Sequence, residues 1–379
     1  MRIAIFGAGK AGQHMLHEIR TNTNEIEPII FLDNKIEGKC ENLRIMKPDT
    51  FFQTEQANDI DAVFIAAGAQ KTLNIMINNL RAHNVSNIYM MHDIAGKNKL
   101  TLFDDGKPIA SRLRKIRFDD KKPTLPYMEI PITDKCNLNC KGCLFACSEK
   151  DESEDIPADD IVSDMKRMSE LFYDIPWIRI LGGEPLMHPA ILRILENVRN
   201  IYKDSEIDLC TNGLLIPKLS DTFFEQIKKL NITVHVSGYK PTYGILDSID
   251  ERLKKFGLNY TVLRRDEFLK YYTTAPDNDM MANFRDCIAS GCRELYRGRL
   301  MRCSAAIAFD KLNGQYGTDY KVVKDIDWYD IYDPKFDAMK ISQELNRCSH
   351  ICKYCDVENM KSFGWDYAGK DVSLSDYIL

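Results

Sequence analysis

Three cysteines lie close together in the segment CNLNCKGC, at Cys136, Cys140 and Cys143. Thiolates with this CxxxCxxC spacing can hold one face of a 4Fe–4S cubane and leave its fourth iron without a protein ligand. That iron is then available to bind another molecule, which a purely electron-carrying cluster with four cysteine ligands does not offer. A structural zinc site is the alternative, but such sites pair CxxC units or add a histidine, and the segment contains no histidine.

A second motif, Gly182-Gly183-Glu184-Pro185, ends an apolar, strand-like run, WIRIL. Two glycines at a strand end let the backbone approach a ligand closely, and Glu184 can accept hydrogen bonds from an ammonium group. A cysteine loop followed by GGEP resembles the radical S-adenosylmethionine (SAM) superfamily of enzymes. The resemblance implies that the three loop cysteines ligate a 4Fe–4S cluster whose open iron binds SAM. It also implies that the GGEP segment binds the SAM amino group.

Two further strand ends carry residues that the resemblance places close to SAM. Thr211-Asn212-Gly213 follows a predicted strand and forms a predicted turn with Gly213 at positive φ. Ser237 ends the next predicted strand, where members of the superfamily offer a polar side chain to the ribose or carboxylate of SAM. The implied chemistry is reductive cleavage of SAM to methionine and a 5′-deoxyadenosyl radical, which abstracts hydrogen from a substrate. The protein orients the substrate and excludes water, so none of the seven histidines is predicted to be catalytic.

The first part of the chain contains a glycine-rich turn. Gly7, Gly9 and Gly12 form GxGxxG after a predicted strand and before a predicted helix, and Asp33 ends the next strand. In dinucleotide-binding proteins such glycines admit a diphosphate to the helix N-terminus, and the acid binds ribose hydroxyls. The motif therefore predicts NAD or another nucleotide, while glycines that serve only helix–strand packing are the alternative. The layout also resembles nucleotide-binding-like domains attached to bacterial sugar-modifying enzymes.

The chain of 379 residues divides into three predicted domains with an α/β fold. Residues 1–118 are predicted to form a Rossmann-like doubly wound sheet, and the charged segment 111–122 is the predicted linker. Residues 123–283 are predicted to form a partial (β/α)6 TIM-like radical SAM barrel, because strands recur between helical segments. Residues 284–379 are predicted to form a small Cys-rich auxiliary cluster domain. The predicted barrel strands are 127–132, 177–181, 206–210, 232–236 and 259–263.

The cysteines of the C-terminal domain resemble the SPASM or twitch extensions of radical SAM enzymes. The resemblance implies one auxiliary 4Fe–4S cluster. Its implied ligands are Cys287, Cys303, Cys352 and Cys355. Two further candidates are Cys292 and Cys348. Three alternatives stay open: Cys292 replaces Cys287, both cysteines ligate the cluster, or four thiolates form a zinc site.

Composition excludes several classes of function. A net charge of −5 with interspersed signs gives no reason to expect nucleic acid or an anionic membrane as a partner. No apolar run approaches the length of a membrane span, and the first residues are predicted as a strand rather than a signal peptide. Twelve cysteines in a non-secreted chain indicate metal binding, and an oxygen-sensitive cluster requires the reducing cytoplasm. Cys147 is predicted as a packed side chain, with a thiol near the site as the alternative.

The order of the motifs also resembles radical SAM proteins found with surface-polysaccharide or sugar-nucleotide enzymes. The resemblance implies an oxidoreductase or epimerase that acts on a carbohydrate or nucleotide-sugar, with flavodoxin or ferredoxin as the reducing partner. A maturase of a ribosomally made peptide is the main alternative. An electron-transfer protein is a second alternative, but a carrier has no need of the SAM pocket that GGEP indicates.

Overall fold

The computed structural model describes residues 1–67, 70–91, 101–104, 113–147, 154–287, 289–369 and 372–379. Sheets of seven and nine strands organise these residues, and a third sheet has two strands. Parallel strands alternate with helices in both large sheets, which confirms the predicted α/β fold class. In the described part of the chain, no helix combines the length and the apolar character that crossing a membrane requires.

The strands are β1 (Arg2–Phe6), β2 (Glu27–Leu32), β3 (Gly38–Cys40), β4 (Leu43–Met46), β5 (Ala62–Ile65), β6 (Ile88–Met91), β7 (Thr101–Asp104), β8 (Leu113–Ile116), β9 (Met128–Pro131), β10 (Trp177–Leu181), β11 (Glu206–Thr211), β12 (Thr233–Gly238), β13 (Asn259–Arg264), β14 (Glu267–Lys270), β15 (Glu294–Tyr296), β16 (Arg299–Met301), β17 (Trp328–Asp330) and β18 (Lys361–Gly364). The helices are α1 (Lys10–Asn22), α2 (Pro48–Phe51), α3 (Gln70–Ala82), α4 (Ala158–Leu171), α5 (Ile191–Ile201), α6 (Asp221–Lys229), α7 (Leu246–Lys255), α8 (Met280–Asp286), α9 (Ala305–Tyr316) and α10 (Ala338–Glu344).

The first sheet has the strand order β3-β4-β2-β1-β5-β6-β8. Its five central strands are parallel, whereas β3 and β8 pair antiparallel at the two edges. Helix α1 has apolar residues at helical spacing, and it buries Met15 and Ile19 against one face of the sheet. Helix α3 buries Leu73 and Leu80 against the other face. Helices on both faces make this the predicted doubly wound, Rossmann-like sheet.

The second sheet has the strand order β17-β16-β15-β9-β10-β11-β12-β13-β7. Strands β9 to β13 are parallel and follow one another, with α4 to α7 between them, and they coincide with the predicted barrel strands. The sixth parallel strand is β15, which joins at the β9 edge. The strand that follows β13 in sequence, β14, leaves this sheet and pairs with β18.

Several segments do not follow the predicted domain boundaries. Strand β7 lies within the predicted first domain, yet it pairs antiparallel with β13 of the second sheet. Strand β8 lies within the predicted linker and completes the first sheet, while residues 111–112 of that linker lie outside the described residues. Strands β15 to β17 come from the predicted third domain and extend the barrel sheet. Each of these strands covers a sheet edge whose backbone groups would otherwise lack partners.

The first sheet packs against the N-terminal ends of the barrel strands. Tyr127 and Trp177, at the starts of β9 and β10, are buried in the same apolar cluster as α3. Arg117 adds an ion pair to Asp174 at 2.9 Å between Nη2 and Oδ1. The residues predicted to bind the first cluster and SAM lie at the opposite, carboxyl ends of the barrel strands.

Candidate functional site

The cysteine loop begins after β9, at the carboxyl edge of the barrel sheet. Cys136, Cys140 and Cys143 are half-buried, and each lies near enough to another to influence its ionisation. Burial raises the pKa of Cys136 and of Cys140 to about 12. Leu138 donates its N–H to Cys136 Sγ at 3.4 Å. Burial disfavours the free thiolates of Cys136 and Cys140, and a bound metal would stabilise them, so these two thiols fit a metal group.

Cys147 is buried and lies against Cys143. Hydrogen bonding between the two thiol groups lowers the pKa of Cys143 to about 6, so the thiolate is favoured there. The same contact, together with burial, raises the pKa of Cys147. Cys147 is therefore both a packed side chain and a thiol adjacent to the predicted ligands.

The spacing of the thiols bears on whether they would hold a single zinc ion. One tetrahedral zinc, with Zn–S bonds of about 2.3 Å, brings its thiolates within roughly 4 Å of one another. Among the described residues, three or more metal-ligand atoms approach within 4.8 Å of one another only at Glu129, Cys292 and Glu294. Neither the loop thiols nor the predicted auxiliary thiols are close enough to share one ion. A cubane does not require this close approach, because it binds each thiolate through a different iron.

The GGEP segment is joined to the cysteine loop through its backbone. Gly183 N donates to Thr133 O, and Glu184 N donates to Lys135 O, each at 2.8 Å. A Cβ on Gly182 would lie 2.5 Å from Thr133 O, and one on Gly183 would lie 2.2 Å from Lys135 O. The sequence predicted that these glycines admit a ligand. The close approach that the structure shows is to the backbone leading into the cysteine loop.

Glu184 is 0% exposed, and its carboxylate is held between two strand ends. It accepts hydrogen bonds from Thr211 Oγ1 at 2.7 Å, from Asn212 N at 2.8 Å and from Leu186 N at 3.1 Å. Burial raises its pKa to about 7 even so. In the part of the chain that the structure describes, no cationic side chain pairs with Glu184. The carboxylate thus suits a positively charged ligand. Pro185, also buried, begins the short turn that Glu184 caps.

Asn212 links the end of β11 to the cysteine loop. Its Nδ2 donates to Asn137 Oδ1 at 2.7 Å, and its carbonyl accepts from Thr242 Oγ1 at 2.9 Å. Gly213 has φ +82°, as the predicted turn requires. Ser237 is half-buried near the end of β12, the neighbouring strand. The structure therefore collects these strand ends at one edge, while their role as SAM ligands stays a prediction.

Four cysteines of the C-terminal segment line one largely apolar cavity. They are Cys287, Cys303, Cys352 and Cys355. Ala289 N donates to Cys287 Sγ at 3.3 Å, and Ala305 N donates to Cys303 Sγ at 3.5 Å. Burial raises the pKa of Cys352 to about 11. Buried thiols with N–H donors fit the predicted auxiliary cluster, since such donors stabilise metal-bound sulfur.

Cys292 and Cys348 are not among the residues described as lining that cavity. Cys292 lies instead with the carboxylates of Glu129 and Glu294, which face each other across β9 and β15. Cys348 lies against Met281, with 3.2 Å between Sγ and Sδ. The arrangement favours the four-cysteine set over one in which Cys292 replaces Cys287.

The structure gives a different account of glycine at each of the three positions of the GxGxxG motif. Gly7 has φ +109°, a left-handed conformation that favours glycine. A Cβ on Gly12 would lie 1.8 Å from Gly7 O, so this glycine permits the helix to pack on the strand. A Cβ on Gly9 would meet nothing within 4 Å, and its φ is −73°. Packing therefore explains Gly7 and Gly12, whereas the space beside Gly9 is open at the N-terminus of α1.

Asp33 follows β2 and already has several backbone donors. Ala8 N donates to Oδ2 at 2.9 Å, and the backbone N–H groups of Lys35 and Ile36 donate to Oδ1 at 2.8 and 3.2 Å. The carboxylate thus ties the glycine-rich turn to the loop after β2, a structural role that the sequence did not indicate. Ribose binding by Asp33 stays a prediction.

Two residues that sequence reasoning missed reach the cysteine loop from the C-terminal segment. Lys311, on α9, donates to Asp134 Oδ1 at 2.6 Å and to Phe145 O at 2.9 Å. Trp365 donates its Nε1–H to Cys140 Sγ at 3.0 Å. For Lys311 there was one local signal in the sequence, a lysine among the apolar residues of α9. For Trp365 there was none, because nothing in the surrounding sequence marks a contact with a loop so distant in the chain.

Comparison with known proteins gives a match to the family described as Radical SAM superfamily over residues 130–286. The GTP 3′,8-cyclase of Alkaliphilus oremlandii (strain OhILAs) is 35% identical over 111 residues, which cover 28% of this chain and 34% of the relative. The GTP 3′,8-cyclase of Clostridium perfringens (strain 13 / Type A) is 29% identical over 196 residues, which cover 46% of this chain and 59% of the relative. The chain thus spans about a third to three fifths of these relatives.

Among solved structures, BtrN in complex with AdoMet and 2-DOIA is 13% identical, and the match covers 68% of this chain and 100% of that chain. Its TM-score is 0.36, which is too low to establish a common overall fold.

Proposed function

We propose that the radical SAM domain at residues 130–286 makes this chain an enzyme that abstracts hydrogen from a carbohydrate or nucleotide-sugar. The family uses a 4Fe–4S cluster and SAM, and the residues present fit both groups. The observation that carries the proposal is the buried Glu184, bound to the end of β11 by hydrogen bonds and to the cysteine loop through its backbone. One edge of the sheet therefore offers a set of thiols and an anionic site side by side.

The residues divide the work of binding between them. Cys136, Cys140 and Cys143 would hold the cluster, and Glu184 would accept hydrogen bonds from the ammonium group of SAM. When bound, a reduced 4Fe–4S cluster supplies the electron that cleaves SAM. The chain itself orients the ligands and excludes water, because Glu184 and Thr211 are buried and their polar groups already hold each other in place. A pure electron carrier would have no use for this anionic site.

The names of the relatives support a nucleotide-linked substrate, and the first sheet offers space for a nucleotide of its own. The curated relatives are named for a reaction of GTP, which is a nucleotide. The first sheet leaves open space beside Gly9 at the N-terminus of α1, where a diphosphate would meet unpaired N–H groups. Because that sheet packs at the barrel end opposite the cysteine loop, a nucleotide bound beside Gly9 would lie away from the SAM site and would be a separate ligand rather than the substrate of the radical.

The auxiliary cavity supports oxidation over a redox-neutral reaction. Its four cysteines would hold an electron acceptor within the same core as the barrel. An acceptor there favours an oxidoreductase, since a substrate that has lost one hydrogen atom must give up another electron to become a stable oxidised product. Epimerisation needs no such acceptor. A flavodoxin or ferredoxin is the reductant that we infer, and the reducing cytoplasm is the compartment.

Isotope transfer tests the substrate class. The anaerobically reconstituted protein would be incubated with SAM, dithionite and one C-deuterated candidate: a UDP-sugar, a CDP-sugar, GTP or a peptide. We expect deuterium in 5′-deoxyadenosine only from a sugar nucleotide, measured by mass spectrometry. Cys140→Ala is the inactive variant, and Cys40→Ala on β3 is the matched control. Transfer from the peptide alone would favour the maturase alternative and contradict the proposal.

A further inference from the structure

The segment 361–369 crosses the cysteine loop and binds it through the backbone. Lys141 N donates to Asp366 O at 3.1 Å, and Ala368 N donates to Asn139 O at 2.8 Å. Lys141 Nζ also pairs with Asp366 Oδ2 at 2.9 Å. Two backbone hydrogen bonds and an ion pair within four residues of Cys140 fix the position of this segment relative to the loop.

The same segment is anchored by β18 to the strand that follows the barrel strand β13 in sequence. Strand β18 pairs antiparallel with β14, so that Phe363 lies opposite Phe268, with 6.1 Å between ring centroids. A Cβ on Gly142 would lie 2.7 Å from Phe363 Cζ. Gly142 also has φ +66°, so glycine serves two purposes at this position. It permits the turn between Cys140 and Cys143, and it admits the ring of Phe363.

Trp365 lies at the centre of this contact and is half-buried. Its Nε1 is 3.0 Å from Cys140 Sγ. An indole N–H can only donate, so the sulfur is the acceptor. We propose that Trp365 is a positioning residue for the cluster predicted at the loop, and that its hydrogen bond to the Cys140 thiolate raises the reduction potential of that cluster. The inference rests on the proposed function, because it takes Cys140 to be an iron ligand.

The direction of the change in reduction potential follows from the charge of the reduced cluster. Reduction adds one electron to the cluster and its thiolates, and an N–H dipole directed at a thiolate sulfur stabilises the more negative state. Hydrogen bonds to the sulfurs are among the features that set the potentials of such clusters. Trp365→Phe removes the donor and keeps an aromatic ring of similar shape, so it should shift the midpoint potential to a more negative value while the cluster is retained.

The test is a redox titration of the anaerobically reconstituted full chain, followed by electron paramagnetic resonance. A variant lacking the three loop thiols gives the auxiliary signal to subtract. Trp328→Phe, in β17, is the matched control because it makes the same chemical change away from the loop. We expect a more negative midpoint for Trp365→Phe, an unchanged midpoint for Trp328→Phe, and equal iron content in both. An unchanged midpoint in Trp365→Phe would overturn the inference.

Tryptophan fluorescence gives a second readout that does not depend on the variant keeping its iron. The apo wild type should be brighter than apo Trp365→Phe because it has one more tryptophan. If Trp365 lies beside a cluster ligand, cluster loading should quench that extra emission, so that the loaded wild type is no brighter than the apo variant. A loaded wild type that stays brighter than apo Trp365→Phe would overturn the inference, and loss of iron from Trp365→Phe would also overturn it by showing that Trp365 holds the cluster rather than tunes it. A wild type that binds no iron through the loop thiols would instead refute the proposed function.

Discussion

Among single residues, Glu184 carries the clearest expectation. Glu184→Gln keeps the size of the side chain and removes the negative charge, and its NH2 group cannot accept the backbone hydrogen bond that one of the two carboxylate oxygens receives from Leu186 N or Asn212 N. A charge-assisted hydrogen bond is worth about 1.5–3 kcal/mol, so SAM affinity should fall by roughly one to two decades. Equilibrium binding of SAM to the reconstituted protein measures this loss. Glu225→Gln, exposed on α6, is the matched control and should bind normally; wild-type affinity in Glu184→Gln would show that Glu184 does not bind the ligand.

The raised pKa of Glu184 predicts a pH dependence. Burial raises this pKa to about 7, so the carboxyl group gains a proton as the pH falls through that value. The protonated group attracts an ammonium far less, and SAM affinity should therefore drop at low pH, by about tenfold per unit well below the pKa. Binding measured from pH 8 to pH 6 tests this. Glu184→Gln should lack the dependence, and the same decline in that variant would assign it to another group.

At the scale of elements, two glycines of the glycine-rich turn have different expected roles, packing for Gly12 and nucleotide binding for Gly9. Gly12→Ala places a Cβ 1.8 Å from Gly7 O, and overpacking of this kind should cost about 1–3 kcal/mol or more, seen as a lower melting temperature. Gly9→Val places its Cβ in open space, so it should lower the melting temperature less than Gly12→Ala does but lose nucleotide binding in calorimetry with NAD, UDP-sugars and CDP-sugars. Nucleotide binding that survives Gly9→Val would leave the turn with a packing role only.

The C-terminal cysteines make an independent prediction about metal. A variant with alanine at all three loop cysteines should still hold roughly four irons per chain, because the other four cysteines line a cavity of their own. Iron and sulfide analysis with absorption spectra checks this. One equivalent of zinc and no charge-transfer absorption would be incompatible with the auxiliary cluster.

Elements with local periodicity were predictable, and contacts between distant segments were not. The barrel strands β9 to β13 coincide with the sequence predictions, and helices separate them as expected, because apolar runs and helical spacing are local properties. The return of β15 to the β9 edge, the pairing of β7 with β13 and the contact of Trp365 with Cys140 link residues far apart in the chain. No short-range pattern marks such contacts, so the motif residues were found and their supporting residues were missed.

At the scale of the whole molecule, the barrel and the C-terminal segment share one apolar core. Helix α9 buries Ile307, Phe309 and Leu312 in the same cluster as the barrel strands. Removal of residues 284–379 would expose this surface and leave the β9 edge unpaired. We expect a chain ending at residue 283 to lose cooperative thermal unfolding and to bind no cluster. Circular dichroism measures the unfolding, and iron analysis measures the cluster content. A soluble truncated protein that unfolds cooperatively and binds a cluster at the cysteine loop would contradict the claim that the two parts depend on one core.

The most direct test of the central claim is formation of 5′-deoxyadenosine from SAM by the anaerobically reconstituted, dithionite-reduced protein. The wild type and Cys40→Ala should form it, whereas Cys136→Ala, Cys140→Ala and Cys143→Ala should each form none above the level without protein, because three thiolates are the fewest that hold the cluster. Cleavage of SAM at the wild-type rate by any one of these three variants would contradict the assignment of the loop.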